Sequence, residues 1–125
     1  MSGLFHVLLA EDEDLVALVV AEILESEGFR VTVTHNGLEA IEADAADPAD
    51  ILLTDMRMPV MGGEALIRMI RQRRPDLPII VMTGYSEHLP DEEPGRLTVL
   101  RKPYAVSALA PTVRAILARR TAPAP

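Results

Sequence analysis

Five short runs of apolar or β-branched residues, separated by stretches of helical periodicity, constrain this chain more than any other feature. They fall at residues 5–10 (interrupted by His6), 30–34, 51–54, 78–82 and 97–101. Each is too short for a helix and long enough for a strand. Most are apolar without alternation, as in strands covered on both faces, and that pattern marks a parallel sheet. Between them, Leu15, Val16, Val19, Val20, Ile23 and Leu24 recur at helical spacing, with Glu22, Glu25 and Glu27 opposite and Gly28 placed as a C-cap. Asn36-Gly37 turns the chain into a small Ala-rich helix closed by Asp47-Pro48. Leu66, Ile67, Met69 and Ile70 mark a third helix, stopped by Pro75. Pro90 and Pro94 predict a short or broken helix over 86–95. Val106, Leu109, Val113, Ile116 and Leu117 define the last helix, which must begin near Ser107 to hold Pro111 in or just past its first turn. Residues 121–125 read as a fraying tail, leaving one domain with its core over about 5–120.

Strands alternating with helices give an α/β, doubly wound five-stranded sheet with helices on both faces. The common open order for five such units is 2-1-3-4-5, and ligands bind outside the carboxyl ends of the strands. Those ends carry Glu11-Asp12, Asp55, Thr83 and Lys102. Three carboxylates gathered at one edge repel one another, and a cation would relieve them. Oxygen ligands without His or Cys suit Mg²⁺. A carboxylate beside Mg²⁺, an ammonium and a hydroxyl fits phosphoryl transfer onto Asp55. Acidic residues after a strand also serve as helix N-caps, an alternative of equal weight for residues 11–14 taken alone. Asp55 differs, because it closes an apolar strand and precedes no evident helix.

Charge composition sharpens one residue. Lys and Arg total 12 against 19 Asp and Glu, a net charge of −7. Of those cations only Lys102 is lysine. In a chain that otherwise uses arginine, the exception points to a site needing a compact ammonium. The acidic excess argues against direct nucleic-acid binding. No apolar stretch approaches a membrane span, and the first residues lack a secretory pattern. With no cysteine the chain needs no oxidising compartment, so cytoplasm is expected.

Four motifs stand in order at these strand ends: Val7-Leu8-Leu9-Ala10-Glu11-Asp12-Glu13; Asp55-Met56-Arg57-Met58-Pro59 with Met61-Gly62-Gly63; Thr83-Gly84; and Lys102-Pro103-Tyr104. Together they resemble the receiver domain of two-component response regulators, over roughly residues 5–120, and especially receivers associated with hybrid histidine kinases. The resemblance implies a flavodoxin-like fold and a phosphoacceptor role for Asp55. It implies Mg²⁺ held by Glu11, Asp12, Asp55 and the backbone carbonyl of Arg57, with Thr83 and Lys102 on the phosphoryl group and a cis Lys102–Pro103 bond. It implies a histidine kinase or histidine phosphotransfer protein as donor and a separate effector protein as the reader. Such a domain catalyses its own phosphorylation and slow autodephosphorylation, and is otherwise no enzyme. Arg57 and Tyr85 occupy positions that tune that hydrolysis. Val99 stands where many receivers carry a switching aromatic, so the usual Thr–aromatic coupling is absent.

Two rival readings are a module that keeps the fold without phosphorylation and an aspartyl-phosphate phosphatase. The intact carboxylate, Thr83 and Lys102 set opposes the first. Arg57, where the second wants an acid, opposes the other. His6, His35 and His88 lie in three segments and read as packing or surface residues, not a metal site. Arg71, Arg73, Arg74, Arg114, Arg119 and Arg120 are expected to meet the negative ends of their helices. Met56, Met58, Met61 and Met82 are expected to pack around the site. No Gly-Lys-Ser/Thr follows Gly62-Gly63, so a P-loop is excluded.

Overall fold

The computed structural model describes residues 4–83, 92–93, 96–101 and 108–121. Its elements run β1 (His6–Ala10), α1 (Asp14–Ser26), β2 (Arg30–Thr34), α2 (Gly37–Ala46), β3 (Ile51–Asp55), α3 (Gly63–Arg73), β4 (Ile79–Thr83), β5 (Leu97–Arg101) and α4 (Leu109–Thr121). All four strand pairings are parallel, in the order β2-β1-β3-β4-β5. The expected flavodoxin-like order is therefore present. Among the described residues no helix is long and apolar enough to cross a membrane.

The period-two alternation of strand side chains divides the core between two faces. Val7 and Leu9 of β1 join Ile51, Leu53, Ile80 and Met82 under α1 and α4. Leu8 and Ala10 join Leu52, Ile79 and Val81 under α2 and α3. This is why the strands read as unbroken apolar runs. Each fully buried large aliphatic contributes roughly 1.5–3 kcal/mol of transfer free energy, so the central strands anchor everything attached to their ends.

Helix α1 departs from its sequence pattern. Its buried residues are Ala17, Val20, Ala21 and Leu24. Leu15, Leu18 and Val19 are exposed at 77%, 53% and 45%. The small Ala17 and Ala21 let the helix axis approach the sheet, and that contact rotates the larger Leu15 and Val19 outward. Its C-terminus closes as the sequence suggests. Gly28 takes φ +96°, its N–H donates to the Glu25 carbonyl, and Phe29 N–H donates to the Leu24 carbonyl. That is the paired Schellman arrangement, which needs a residue tolerant of positive φ.

The arginine expectation is met by Arg71 and Arg73, both in the last turn of α3, and corrected for Arg74 and Arg114. Arg71 donates to the Pro75 and Leu77 carbonyls just beyond its own helix. Arg74 instead pairs with the buried Asp44 of α2 at 2.7 Å. Arg114 lies within α4, away from its end, and reaches the C-terminus of α1. There it donates to the Glu27 carbonyl and carboxylate at 2.8 and 2.7 Å. Helix α1 has no basic residue in its own last turn, so a neighbouring helix supplies the cation. Pro111 is the third residue of α4, within its first turn as expected. The predicted start near Ser107, most of the 86–95 segment, Arg119 and Arg120 as side chains, and residues 122–125 lie outside the described residues.

Candidate phosphoacceptor and metal site

Parallel strands deliver their last residues to one edge, and register fixes which ones meet. Ala10 lies opposite Thr54, Asp55 opposite Met82, and Thr83 opposite Arg101. Glu11 and Asp12 follow β1 directly, Asp55 closes β3, and Thr83 closes β4. Glu11 is fully buried, Asp55 is 7% exposed and Thr83 is 1% exposed. Asp12 is exposed.

Glu11, Asp12 and Asp55 each bring a carboxylate oxygen into one group, all within 4.8 Å of one another. At that separation two unit charges repel by about 3–4 kcal/mol with an effective dielectric near 20. Solvent screens the share that involves exposed Asp12. Helix capping does not account for these acids. The N-cap of α1 is Glu13, and it makes no side-chain cap hydrogen bond. Glu11 Oε2 instead accepts from Glu13 N–H at 3.1 Å, while Asp55 Oδ1 accepts from Met56 N–H at 2.7 Å. Those bonds orient both carboxylates without adding a full positive charge. An all-oxygen set of three carboxylates, two of them buried, fits a hard divalent cation. A fit to Mg²⁺ follows from the donor set itself.

Hydrogen bonds tie the loop after Asp55 to the start of α3 and to the end of β3. Gly63 N–H donates to the Met56 carbonyl at 2.9 Å, and Thr54 Oγ1 to the Asp55 carbonyl at 2.8 Å. Arg57 is exposed on this loop, next to the acceptor. Met56, Met58 and Met61 pack partly buried against the α2–α3 core, and Met82 of β4 is fully buried in the core under α1 and α4. The packing expected of these methionines is present.

Val99 is half-buried in β5, packed against the same core. Its backbone N–H donates to Glu92 Oε2 at 2.9 Å. Lys102 follows Arg101, the last residue of β5, but Lys102, its bond to Pro103, Gly84, Tyr85 and His88 lie outside the described residues. His6 is a packing residue at the opposite edge. It is 2% exposed, with ring nitrogens 3.1 Å from the Pro48 carbonyl and 2.7 Å from Thr32 Oγ1. His35 is a surface residue near Asp14 and Glu39. Sequence reading gave no hint of the strained Val60 on the site loop, with φ +67°.

The model of the response regulator receiver domain matches residues 7–114. The chain is 35% identical to the sensor kinase CckA of Brucella abortus, over 96% of this chain and 13% of that protein. It is 37% identical to the DNA-binding transcriptional regulator NtrC of Escherichia coli K12, over 88% of this chain and 24% of that protein. The chain thus spans under a quarter of the length of these two curated relatives. Among solved structures, a response regulator receiver protein from Sinorhizobium medicae superposes with a TM-score of 0.80 at 29% identity, covering 94% of this chain and 97% of that one. Matched from β1 into α4, with the acidic group where the strands end, the chain belongs to the family of response regulator receiver domains.

Proposed function

We propose that this chain, as one receiver domain, accepts a phosphoryl group on Asp55 from a phosphohistidine and thereby switches a protein-binding face. One observation carries the reading: carboxylates from the ends of β1 and β3 converge within 4.8 Å around a nearly buried Asp55. An Asp55 carboxylate oxygen attacks phosphorus as the P–N bond of the phosphohistidine breaks. The electron pair returns to the imidazole, and Asp55 becomes an acyl phosphate. Glu11, Asp12, Asp55 and the Arg57 carbonyl would hold Mg²⁺. Bound there, that ion offsets charge on the carboxylates and on the transferring oxygens. The Thr83 hydroxyl donates to one phosphoryl oxygen, and Lys102 supplies a compact cation to another.

The donor is a histidine kinase or histidine phosphotransfer protein, and its surface must cover the strand ends to reach Asp55. Leu15, Leu18 and Val19 stand exposed in the first two turns of α1, beside acidic Asp12, Glu13 and Asp14. That surface favours a donor with an apolar contact and a basic rim. The reader is an effector, the setting is the cytoplasm, and no independent substrate is turned over by this domain. Val99 in place of an aromatic leaves the switch without an aromatic side chain to rotate.

Incubation with acetyl phosphate and Mg²⁺ tests the reading. One phosphoryl group per chain is expected, and none after Asp55→Asn. An unmodified wild type, or full labelling of the variant, overturns it. Arg57 and Tyr85 shield the acyl phosphate from water, so the double Ala variant should lose its label several-fold faster. An unchanged rate would remove that role.

A further inference from the structure

Strand β5 closes the sheet at its edge, with β4 beside it. It has five residues and carries apolar side chains on both faces. Leu97 and Val99 pack into the core under α2 and α3, and Leu100 packs against the core under α1 and α4. Such a strand is poorly fixed by its hydrophobic pattern, since a slip of one residue exchanges one apolar set for another. Register matters here all the same. Arg101 lies opposite Thr83, and Lys102 is the next residue in sequence. A slip of one place would offer Arg101 or Pro103 to the phosphoryl group in place of Lys102.

One arginine fixes where β5 begins. Arg71, in the last turn of α3, donates to the Arg96 carbonyl at 2.9 Å, to the Pro75 carbonyl at 3.0 Å and to the Leu77 carbonyl. The Arg96 carbonyl also accepts from Ile79 N–H at 2.7 Å, the bond that opens the β4–β5 ladder. A single guanidinium thus holds the approach to β4 and the residue directly before β5. Glu93 adds to this anchor. Its backbone exchanges hydrogen bonds with Leu97 at 2.8 and 2.9 Å, and its carboxylate lies 3.8 Å from Arg71 and 3.7 Å from Arg96. The Arg71 side chain is only 16% exposed, so water competes weakly for these bonds. Three carbonyls in different directions suit a planar fork of donors, which an ammonium does not supply.

We infer that Arg71 is a positioning residue for phosphoryl transfer: by fixing where β5 begins, it fixes Lys102 as the residue that β5 delivers to the site. The action is at a distance, because Arg96 stands about 17 Å of strand before Arg101. It is also selective. The metal-binding carboxylates come from the ends of β1 and β3, whereas the bonds of Arg71 reach the approaches to β4 and β5. The inference rests on the phosphoacceptor reading.

A double-mutant cycle in the full chain tests it, read as the rate of labelling by acetyl phosphate at saturating Mg²⁺. Arg71→Met removes the donors, and Arg71→Lys keeps the charge without the fork, so it carries the test if the Met variant does not fold. Either should slow labelling about ten-fold. In a Lys102→Ala background the same substitution should slow it no further, because Arg71 acts through Lys102. Mg²⁺ affinity by calorimetry should stay within about two-fold of wild type. Arg74→Ala, which breaks an ion pair at the same end of the sheet, should leave the rate within about two-fold. Wild-type rates in the Arg71 variants overturn the inference. So does an equal loss with and without Lys102, or a Mg²⁺ affinity that falls in step with the rate, since each marks a purely structural role. In all three cases a labelled wild type leaves the phosphoacceptor reading standing. A wild type that takes no label overturns that reading and the inference together.

Discussion

The two ends of the sheet use charge in opposite ways. Where the strands begin, arginines tie elements together. Arg30 meets Asp47 at 2.6 Å, Arg74 meets Asp44 at 2.7 Å, and Arg114 meets Glu27 at 2.7 Å. Arg71 donates to carbonyls ahead of β4 and β5, and Arg96 donates to the Pro75 carbonyl. His6, buried among them, has Thr32 and Pro48 on its ring, and Asp50 accepts from its backbone. A planar fork that reaches several acceptors suits this stitching. Where the strands end, three like charges converge, and the chain's one lysine follows the last strand. Opposite charges pair at the first end, and like charges gather at the second, where a bound cation would relieve their repulsion.

The contrast gives mutations at the two ends opposite signatures. The largest effect is chemical: Asp55→Asn should reduce acetyl phosphate labelling to background while far-ultraviolet dichroism stays unchanged. Next, Arg74→Ala should lower unfolding free energy by about 2–3 kcal/mol in urea titrations, because it strips the partner from a buried carboxylate. The loss falls below the full range for buried pairs because Ala49 N–H still donates to Asp44, at 2.8 Å. Labelling of Asp55 should survive this change. Third, Asp55→Asn should stabilise the metal-free protein by about 1 kcal/mol, since it removes a repelled charge. Stabilisation at one end and destabilisation at the other is the sharpest form of the comparison. If Asp55→Asn destabilises the metal-free chain as Arg74→Ala does, the two ends do not differ in kind.

The smallest effect is pH-dependent. Accepting from Arg30 holds the Asp47 carboxyl below its ordinary 3.8, against a smaller opposing effect of desolvation. The folded state therefore binds that proton more weakly than the unfolded chain. The associated stability is complete above the unfolded value and is lost as pH falls through the folded one. Asp47→Asn should flatten the stability profile over that acidic interval and change little near neutrality. An identical slope in both proteins would remove the pair from the account of this end.

Sheet order and site were legible in the sequence for related reasons. Strands buried on both faces must be apolar throughout, so the polar residue that ends each one is conspicuous. Asp55 after Ile51-Leu52-Leu53-Thr54 is such a signal. The face of α1 was not legible, because size and hydrophobicity favoured Leu15 and Val19, whereas close packing on a sheet selects Ala17 and Ala21. Arg114 was misplaced for a similar reason: its partner is 87 residues away in sequence, beyond any local rule. Val60 left no trace, since nothing in a valine announces a positive φ.

The central claim is that Asp55 is the residue modified, and mapping the label tests it most directly. Borohydride reduces an aspartyl phosphate to homoserine. Wild-type chain treated with acetyl phosphate and Mg²⁺, reduced and digested, should yield homoserine at position 55 and at no other position, with none when Mg²⁺ is omitted. Homoserine at any other aspartate, a reduced glutamyl product at any glutamate, or homoserine at position 55 to equal extent without Mg²⁺, would contradict it.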